Sequence, residues 1–237
     1  MKKIFYYILF AVITFTAFPQ KMVVQKTDGS NLFIDLNAIS LINFIIPCPG
    51  TPTVDYEGKT YNTVLIGEQC WLKENLDVGV MIQGTSNQTD NSTIEKYCYE
   101  NNPSNCDTYG GLYQWNEAMQ YATGSRGICS EGWHIPTASD FQVLKSTVNN
   151  NGNILKEIGQ GSGSGAGTNT CGFSALLTGN RAMSSGDFSG LNLYTLFWGS
   201  TSTSGNGDFM RLYSDVSTIE TGYYNVTHGF SVRCIKD

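Results

Sequence analysis

The number and spacing of the cysteines constrain this chain more than any other feature of its sequence. The chain has seven cysteines but only two histidines in 237 residues. No two cysteines have the C-x-x-C spacing of a structural zinc site or a redox pair, so the pattern favours disulfides in an exported protein. Six paired cysteines and one left over allow roughly a hundred arrangements. The cysteines are Cys48, Cys70, Cys98, Cys106, Cys129, Cys171 and Cys234.

The sequence favours two of these pairings without excluding the others. Cys98 and Cys106 bracket a short polar loop, which suggests a local disulfide. A bond between Cys129 and Cys234 would join the middle of the domain to its last strand. Both pairings are interpretations based on the positions of the cysteines in the chain. Spacing alone does not determine which cysteines form disulfides with each other.

One cysteine is left outside any set of three intrachain disulfides. Cys70 is a further disulfide candidate, and the unpaired residue is expected to be Cys48 or Cys171. A leftover thiol in an exported chain either stays free or pairs with another chain. The unpaired cysteine is therefore compatible with a structural role in which a disulfide links two chains.

The first twenty residues have the pattern of a secretory signal peptide. Lys2 and Lys3 precede an apolar run over residues 4–17, which is shorter than the roughly 18 residues that cross a bilayer. We expect cleavage near Gln20 and export to the cell surface, the medium or the periplasm. The alternative is an uncleaved N-terminal anchor. No later stretch of the sequence has membrane-spanning length.

The charge balance excludes one large class of function. The formal net charge is −6 and the pI is near 4.9, so the chain lacks the basic face that nucleic-acid binding requires. Charged residues make up only 14%, against about 25% in typical soluble domains. Hydrophobic residues make up 41%, which is enough for a substantial core. The composition indicates one folded domain with an extracellular type of surface.

Changes in composition and hydrophobic pattern divide the chain into four parts. After the signal peptide at 1–20, residues 21–46 contain two apolar runs around an Asp-Gly turn signal, which predicts a short β-hairpin. The Pro-rich stretch 47–53 is interpreted as a stiff linker. Residues 54–237 form the main domain, for which short β runs, long loops and two helices predict an α+β fold.

The two predicted helices rest on local patterns. Residues 112–122 place Leu112, Trp115 and Met119 at helical spacing. The second helix begins after Thr137, with Asp140 three residues later in a near-capping box, and continues to about residue 148. Its buried stripe should contain Phe141, Leu144 and Val148.

Five sequence motifs resemble the Fibrobacter succinogenes major paralogous domain, and they occur in the expected order. We call them motifs 1 to 5: 67–76 (GEQCWLKENL), 109–115 (YGGLYQW), 129–137 (CSEGWHIPT), 172–176 (GFSAL) and 229–234 (GFSVRC). The resemblance covers residues 54–237. Near Trp198 the family commonly has Trp-Trp-Ser-Ser-Thr, whereas this chain has Phe-Trp-Gly-Ser-Thr, with Gly199 in place of a serine. The 21–46 segment resembles a β element that precedes such domains in exported Bacteroidetes-type proteins.

The resemblance implies an exported, disulfide-supported domain with a C-type-lectin-like fold, related to the formylglycine-generating sulfatase-modifying enzymes. Those enzymes use two cysteines about five positions apart, and the nearest pair here, Cys98 and Cys106, lies in a polar loop. His134 precedes a helix and His228 precedes the closing strand, so neither has the context of a hydrolase triad. We therefore expect no enzymatic activity, with a formylglycine-type enzyme as the least favoured alternative.

The calcium motifs of sugar-binding C-type lectins, a Glu-Pro-Asn or Gln-Pro-Asp loop and a Trp-Asn-Asp strand, do not occur in this sequence. Loops near Asp187, Asp208 and Asp215 carry oxygen ligands of the type that calcium accepts, but acidic loops in an acidic protein are more often solvated. We expect no cofactor and no specific metal site.

The stretch 194–227 is the candidate ligand surface, because it combines aromatic side chains with Asn, Asp and Arg among small residues. The competing interpretation is core packing, which alternation along residues 209–213 favours for half of these side chains. The candidate ligand-binding residues are Trp198, Asn206, Asp208, Arg211, Tyr213, Tyr223, Tyr224 and Asn225.

The sequence as a whole predicts a secreted or surface-associated binding module that recognises a glycan or a surface protein through its C-terminal loops. The alternative is a structural surface or adhesin component that assembles with other chains. The oligomeric state and the identity of the ligand are not determined by the sequence.

Overall fold

The computed structural model describes residues 21–25, 30–35 and 45–237, apart from residues 123, 125 and 184. The predicted signal peptide at residues 1–20 lies outside the described residues. The chain divides into two compact units, Met1–Asn43 and Phe44–Asp237. In the described part of the chain, no helix is long and apolar enough to cross a membrane.

The first unit contains a β-hairpin. Strands β1 (Lys21–Gln25) and β2 (Asn31–Asp35) are antiparallel, with Lys21 opposite Asp35 and Gln25 opposite Asn31. The two strands flank the Asp-Gly pair at 28–29 from which the sequence predicts a hairpin. Residues 36–44 of the predicted accessory segment lie outside the described residues.

The second unit is mostly β-structure with three α-helices among its described residues. Its strands are β3 (Thr53–Tyr56), β4 (Lys59–Ile66), β5 (Gln69–Leu72), β6 (Val80–Met81), β7 (Glu95–Lys96), β8 (Leu112–Tyr113), β9 (Trp133–His134), β10 (Thr178–Arg181), β11 (Phe188–Leu191), β12 (Tyr194–Thr203), β13 (Asn206–Tyr213), β14 (Glu220–Asn225), β15 (Phe230–Ser231) and β16 (Ile235–Lys236). Its helices are α1 (Pro103–Tyr109), α2 (Trp115–Ala118) and α3 (Ala138–Thr147), with 3-10 turns at Tyr99–Asn101, Gly152–Ile154 and Gly163–Gly165. The predicted α+β class is confirmed.

Two sheets organise the second unit. The larger has the order β11-β10-β12-β13-β14, with β15 joining β12 to β8. The smaller has the order β3-β4-β5-β16-β9, and β6 and β7 form a separate parallel pair. Strands β12 and β13 are antiparallel, with an irregular register between Trp198 and Ser202. In the described residues β14 lies at an edge of the larger sheet, next to β13.

Aromatic side chains connect the core across both sheets and α3. Trp71 of β5 stacks on Phe141 of α3 with ring centroids 6.3 Å apart, and its edge meets Phe173 at 5.6 Å. Trp198 of β12 lies 4.1 Å from the ring of Phe230 in β15. All five rings are buried. Burial of such large apolar surfaces supplies most of the favourable free energy of folding.

Helix α3 forms as its sequence predicts. Thr137 caps the helix by accepting a hydrogen bond from the Asp140 N–H, and the Asp140 carboxylate accepts one from the Thr137 N–H, which completes the capping box. Phe141, Leu144 and Val148 are all buried, so the predicted apolar stripe is confirmed.

The other predicted helix, 112–122, is largely wrong. Only Trp115–Ala118 is α-helical, because Leu112–Tyr113 is strand β8 and pairs with β15. Helix α1, which makes three helices instead of the two expected, was not predicted. It begins where Asn102 accepts a hydrogen bond from the Ser104 N–H and Pro103 occupies the first helical turn.

Three disulfides cross-link the second unit, one of them within a short local segment. The pairs predicted at Cys98–Cys106 and Cys129–Cys234 are confirmed, and the third bond is Cys48–Cys70. Cys171 is the unpaired cysteine, one of the two residues expected to be so. It is half-buried, and its thiol donates to the Ile154 carbonyl at 3.2 Å.

The segment 47–53, interpreted as a linker from its prolines, is held against strand β4. The Cys48 N–H donates to Thr63 Oγ1 at 3.0 Å, and that hydroxyl donates to the Thr51 carbonyl at 2.7 Å. The Cys48–Cys70 bond adds a covalent connection to β5. The packed second unit therefore begins before residue 54.

Candidate functional site

Trp198, a predicted ligand residue, is a core residue. Its side chain has no exposed surface, and its indole Nε1 donates to the Tyr113 carbonyl at 2.7 Å. In the same region the Trp115 indole donates to the Gly199 carbonyl at 2.8 Å. Both indole N–H groups are satisfied inside the protein, as buried tryptophans require. The prediction that Trp198 contacts ligand is wrong, because its side chain is covered by β8 and β15.

Asp208 is also buried, with 3% of its surface exposed. Its Oδ1 accepts a hydrogen bond from the Thr201 N–H at 2.8 Å, whereas Oδ2 has no hydrogen-bond partner among the described residues. The carboxyl group occupies the space beside the α-carbon of Gly199, where a Cβ would lie closer than 3.0 Å to both oxygens. Asp208 is thus almost fully enclosed, and any contact with a ligand is limited to the small part of it that lines the pocket described below.

Arg211 and Tyr213 belong to an ion-paired cluster with Glu220. Arg211 Nε donates to Glu220 Oε2 at 3.0 Å, and the Tyr213 hydroxyl donates to the same oxygen at 2.7 Å. Burial opposes ionisation of Glu220, but these hydrogen bonds hold its pKa below its usual value. The Arg211 guanidinium also lies 4.6 Å from the Tyr213 ring centre. Both candidates are therefore already engaged with neighbouring side chains.

Asn206 and Asn225 face each other at one end of the β13–β14 pair. The Asn225 carboxamide oxygen accepts hydrogen bonds from the Thr227 N–H at 3.0 Å and from its hydroxyl at 2.6 Å. The Asn206 Nδ2 donates to the Ser204 carbonyl at 3.3 Å. Both amides stabilise turns that flank the strands.

Tyr223 and Tyr224 are the most exposed of the candidate residues, at 51% and 37%. Because successive side chains of a strand point to opposite faces, the two rings lie on different sides of β14. Tyr224 packs against Phe209, His228 and Phe230 at ring distances of 4.6 to 5.8 Å. Tyr223 pairs across the sheet with Asp208.

A shallow pocket of about 220 Å³ lies between α3 and the β13–β14 pair, and we call it the Tyr223 pocket. It is lined by Ala138, Phe141, Gln142, Asp208, Phe209, Thr221, Gly222 and Tyr223. Of the eight candidate ligand residues, it brings together Asp208 and Tyr223 alone.

Sequence analysis missed two polar residues of the Tyr223 pocket, Gln142 and Thr221. The Gln142 Nε2 of α3 donates to Thr221 Oγ1 of β14 at 3.2 Å, which connects the two walls. The position of Gln142 on the exposed face of a predicted amphipathic helix indicates only that it is solvated. Its proximity to β14 depends on how α3 packs on the sheet, for which the sequence carries no local signal.

The carboxyl group beneath the pocket has unusual electrostatics. Burial raises the pKa of Asp208 to about 7, because the charged form loses hydration, and the Thr201 N–H opposes this rise. The negative charge of Asp140 in the first turn of α3 raises it further. A carboxyl group of this kind exchanges its proton near neutral pH.

His134 lies between two carboxylates, whereas His228 packs against aromatic rings and its buried Nδ1 has no hydrogen-bond partner among the described residues. His134 Nδ1 lies 2.7 Å from Asp237 Oδ1, and its Nε2 lies 3.4 Å from Asp140 Oδ2. The His228 ring meets the Tyr224 ring edge-on at 4.6 Å. Within the described ranges, no group of three or more His, Cys, Asp or Glu side chains is placed to hold a metal ion.

Of the comparisons with known proteins, a family model matches this chain. No curated protein and no solved structure matches it. The model of the Fibrobacter succinogenes major domain matches residues 64–236, which include all five motifs. The chain belongs to the Fibrobacter succinogenes major domain family.

Proposed function

We propose that this protein is an exported, non-catalytic binding module with a C-type-lectin-like fold, and that the Tyr223 pocket holds a sugar residue of a surface glycan. The observation that carries the proposal is the half-exposed Tyr223 ring at the rim of a small pocket whose walls also present a carboxamide and a hydroxyl. An aromatic face stacks on a sugar ring, and a few polar groups fix its orientation.

Several features of the protein support this proposal. The pocket is of a size for one sugar unit and not for a folded partner, whose interface buries about 800 Å² on each side. Gln142 Nε2 donates to Thr221 Oγ1, which leaves the second amide hydrogen of Gln142 and the hydroxyl hydrogen of Thr221 to bond a ligand in the pocket. The three disulfides accord with export to an oxidising compartment, either the periplasm or the cell surface.

The proposal is tested with a glycan array on the purified, oxidised protein, in calcium and again in EDTA. We expect selective binding that Tyr223→Ala weakens at least tenfold, since truncation of a central aromatic contact commonly costs more than 1 kcal/mol. Tyr121→Ala is the matched control, because Tyr121 is 38% exposed and does not line the pocket. Sensitivity to EDTA would show that calcium takes part.

A blank array would count against a glycan and favour a surface protein as the ligand. Capture from the native cell surface, again compared between Tyr223→Ala and Tyr121→Ala, would test that outcome. If neither assay depends on Tyr223, the proposed site is wrong. The structural alternative predicts oligomers that dissociate in reductant on size-exclusion chromatography, because Cys171 is the one cysteine outside a disulfide.

A further inference from the structure

The Tyr223 pocket contains an acidic group that the fold leaves only partly bonded. Asp208 is one of the lining residues, and 3% of its surface is exposed. Its Oδ1 accepts a hydrogen bond from the Thr201 N–H, whereas the buried Oδ2 has no hydrogen-bond partner among the described residues. Such atoms are rare in folded proteins, because a buried polar atom without a partner is destabilising. Oδ2 is therefore an acceptor that the fold itself does not use.

The strand register directs the Asp208 side chain towards the pocket. Asp208 of β13 lies directly opposite Tyr223 of β14. Opposite residues of an antiparallel pair point to the same face of the sheet, so the carboxyl group and the Tyr223 ring are on the same side. Helix α3 covers this face, since Gln142 Nε2 donates to Thr221 Oγ1 and Thr221 lies two positions before Tyr223. The carboxyl group and the ring thus belong to one concave surface.

The lining of the pocket carries one carboxyl group and no basic residue. Among the described residues no Lys, Arg or His side chain lies within 4.0 Å of the Asp208 carboxyl group. Arg211 of the same strand is three positions away, so it points to the opposite face, where it pairs with Glu220. The protein therefore supplies no positive charge to balance that of Asp208.

Helix α3 adds negative charge to this region. Asp140 in its first turn acts on Asp208 through space and raises the pKa of Asp208. The basic residue next to Asp140 is His134, whose two ring nitrogens lie 3.4 Å from Asp140 Oδ2 and 2.7 Å from Asp237 Oδ1. A charge on His134 is thus shared between two carboxylates of its own. The electrostatic potential in the pocket is negative and favours a cation.

A cationic amine is the ligand group that suits both the carboxyl group and the aromatic ring. An ammonium group donates to a carboxylate in a charge-assisted hydrogen bond, which is stronger than a bond between neutral groups. It is also attracted to the face of an aromatic ring, and the Tyr223 ring is 51% exposed. A ligand carboxylate or phosphate would instead be repelled by Asp208 and Asp140.

We propose that the sugar held in the Tyr223 pocket bears a positively charged amino group, which lies over the Asp208 carboxylate and balances its charge. This inference rests on the proposed function of the pocket and names the class of sugar that it selects. The second amide hydrogen of Gln142 and the hydroxyl hydrogen of Thr221 are donors, so they suit the hydroxyl oxygens of the sugar. The pocket thus offers one acceptor to the amine and two donors to the rest of the ring.

The test compares D-glucosamine and D-galactosamine with their N-acetyl derivatives and with D-glucose and D-galactose. Within each series the ring is the same, and only the group at C2 changes from an ammonium to a neutral amide or a hydroxyl. Binding is measured at pH 7 by calorimetry and by amide chemical-shift mapping of the oxidised protein. We expect saturable binding of at least one amino sugar, with shifts at Thr221 and Tyr223, and at least tenfold weaker binding of its neutral counterparts. This comparison uses the unmodified protein and needs no variant.

Three variants assign the preference to Asp208. Asp208→Asn removes the charge and keeps an acceptor for the Thr201 N–H, so the preference for the amino sugar should fall from tenfold to less than about threefold. Glu131→Gln is the matched control, because it removes the same charge from an exposed residue outside the pocket and should keep the tenfold preference. Tyr223→Ala should weaken every sugar that binds, as the proposed function requires.

Each contrary result has a defined meaning. Equal binding of an amino sugar and its neutral counterparts overturns this inference, and if Tyr223→Ala abolishes that binding, the proposed function stands without it. No binding of any of the six sugars overturns the inference as well, and the glycan array then decides the proposed function. Equal losses of preference in Asp208→Asn and Glu131→Gln would show unspecific attraction to an acidic protein and contradict a role for Asp208. If Nα-acetyl-lysine amide binds as tightly as the amino sugar, the ligand is a lysine side chain of a protein, and both the inference and the sugar are wrong.

Discussion

The contact between Gly199 and Asp208 predicts a coupled pair of stability effects. A Cβ on Gly199 would lie closer than 3.0 Å to Cγ and both carboxylate oxygens of Asp208, so Gly199→Ala forces the carboxyl group to move. Overpacking of a buried site costs about 1–3 kcal/mol. Displacement of the carboxyl also breaks its bond to the Thr201 N–H, worth about 1 kcal/mol.

The expected net cost of Gly199→Ala is about 2 kcal/mol, because alanine recovers roughly 0.5–1 kcal/mol by restricting the unfolded chain. Urea unfolding followed by tryptophan fluorescence would measure it. In an Asp208→Ala background the obstacle is gone, so the same change should cost less than about 0.5 kcal/mol. The difference between the two costs is the coupling free energy of the pair.

Gly222→Ala is the control for a glycine in the same sheet. Its Cβ would lie 3.3 Å from the nearest atom of Phe209, a contact that a small shift of the ring relieves. We expect a cost well below that of Gly199→Ala. If Gly199→Ala costs the same in the wild-type and Asp208→Ala proteins, the carboxyl group is not what excludes a side chain at residue 199.

Two further predictions concern stability. Because folding raises the pKa of Asp208 from 3.8 to about 7, the folded state binds more protons than the unfolded state between these values. The free energy of unfolding should therefore fall as pH rises from 4 to 7, by up to about 4 kcal/mol, and urea titrations of Asp208→Asn should lose this slope. The Cys129–Cys234 disulfide closes a loop with a sequence separation of 105, whereas the Cys98–Cys106 disulfide closes one with a separation of 8. Each disulfide can be removed by replacing both of its cysteines with alanine. Removing the disulfide of the longer loop should lower the free energy of unfolding in urea by about 2 kcal/mol more than removing the other. Equal losses of stability would contradict the loop-entropy account.

Sequence reasoning succeeded where the determining interactions are local. The capping box of Thr137 and Asp140 and the apolar spacing of α3 are all contained in one short segment. Residues 112–122 have a comparable spacing, yet Leu112 pairs with Ser231, more than a hundred residues later. A strand partner so distant in sequence overrides helical periodicity and leaves no mark within the segment itself.

The candidate site was predicted only in part for the same reason. The exposure of Tyr223 follows from its place on an edge strand, whereas the burial of Trp198 and Asp208 depends on coverage by other elements. Trp198 is covered by β8 and β15, which come from different parts of the chain. An aromatic residue in a polar stretch therefore looks the same in sequence whether it is a ligand platform or a core anchor.

Gly199 and Asp208 fit together as a pair beneath the Tyr223 pocket. A Cβ on residue 199 would occupy the position of the Asp208 carboxyl group, so a side chain at residue 199 and an aspartate in this position at residue 208 exclude each other. Because Asp208 also lines the Tyr223 pocket, the absence of a side chain at residue 199 is what allows a carboxyl group to form part of the pocket floor. The shape of the proposed site therefore depends on a glycine that does not itself line it.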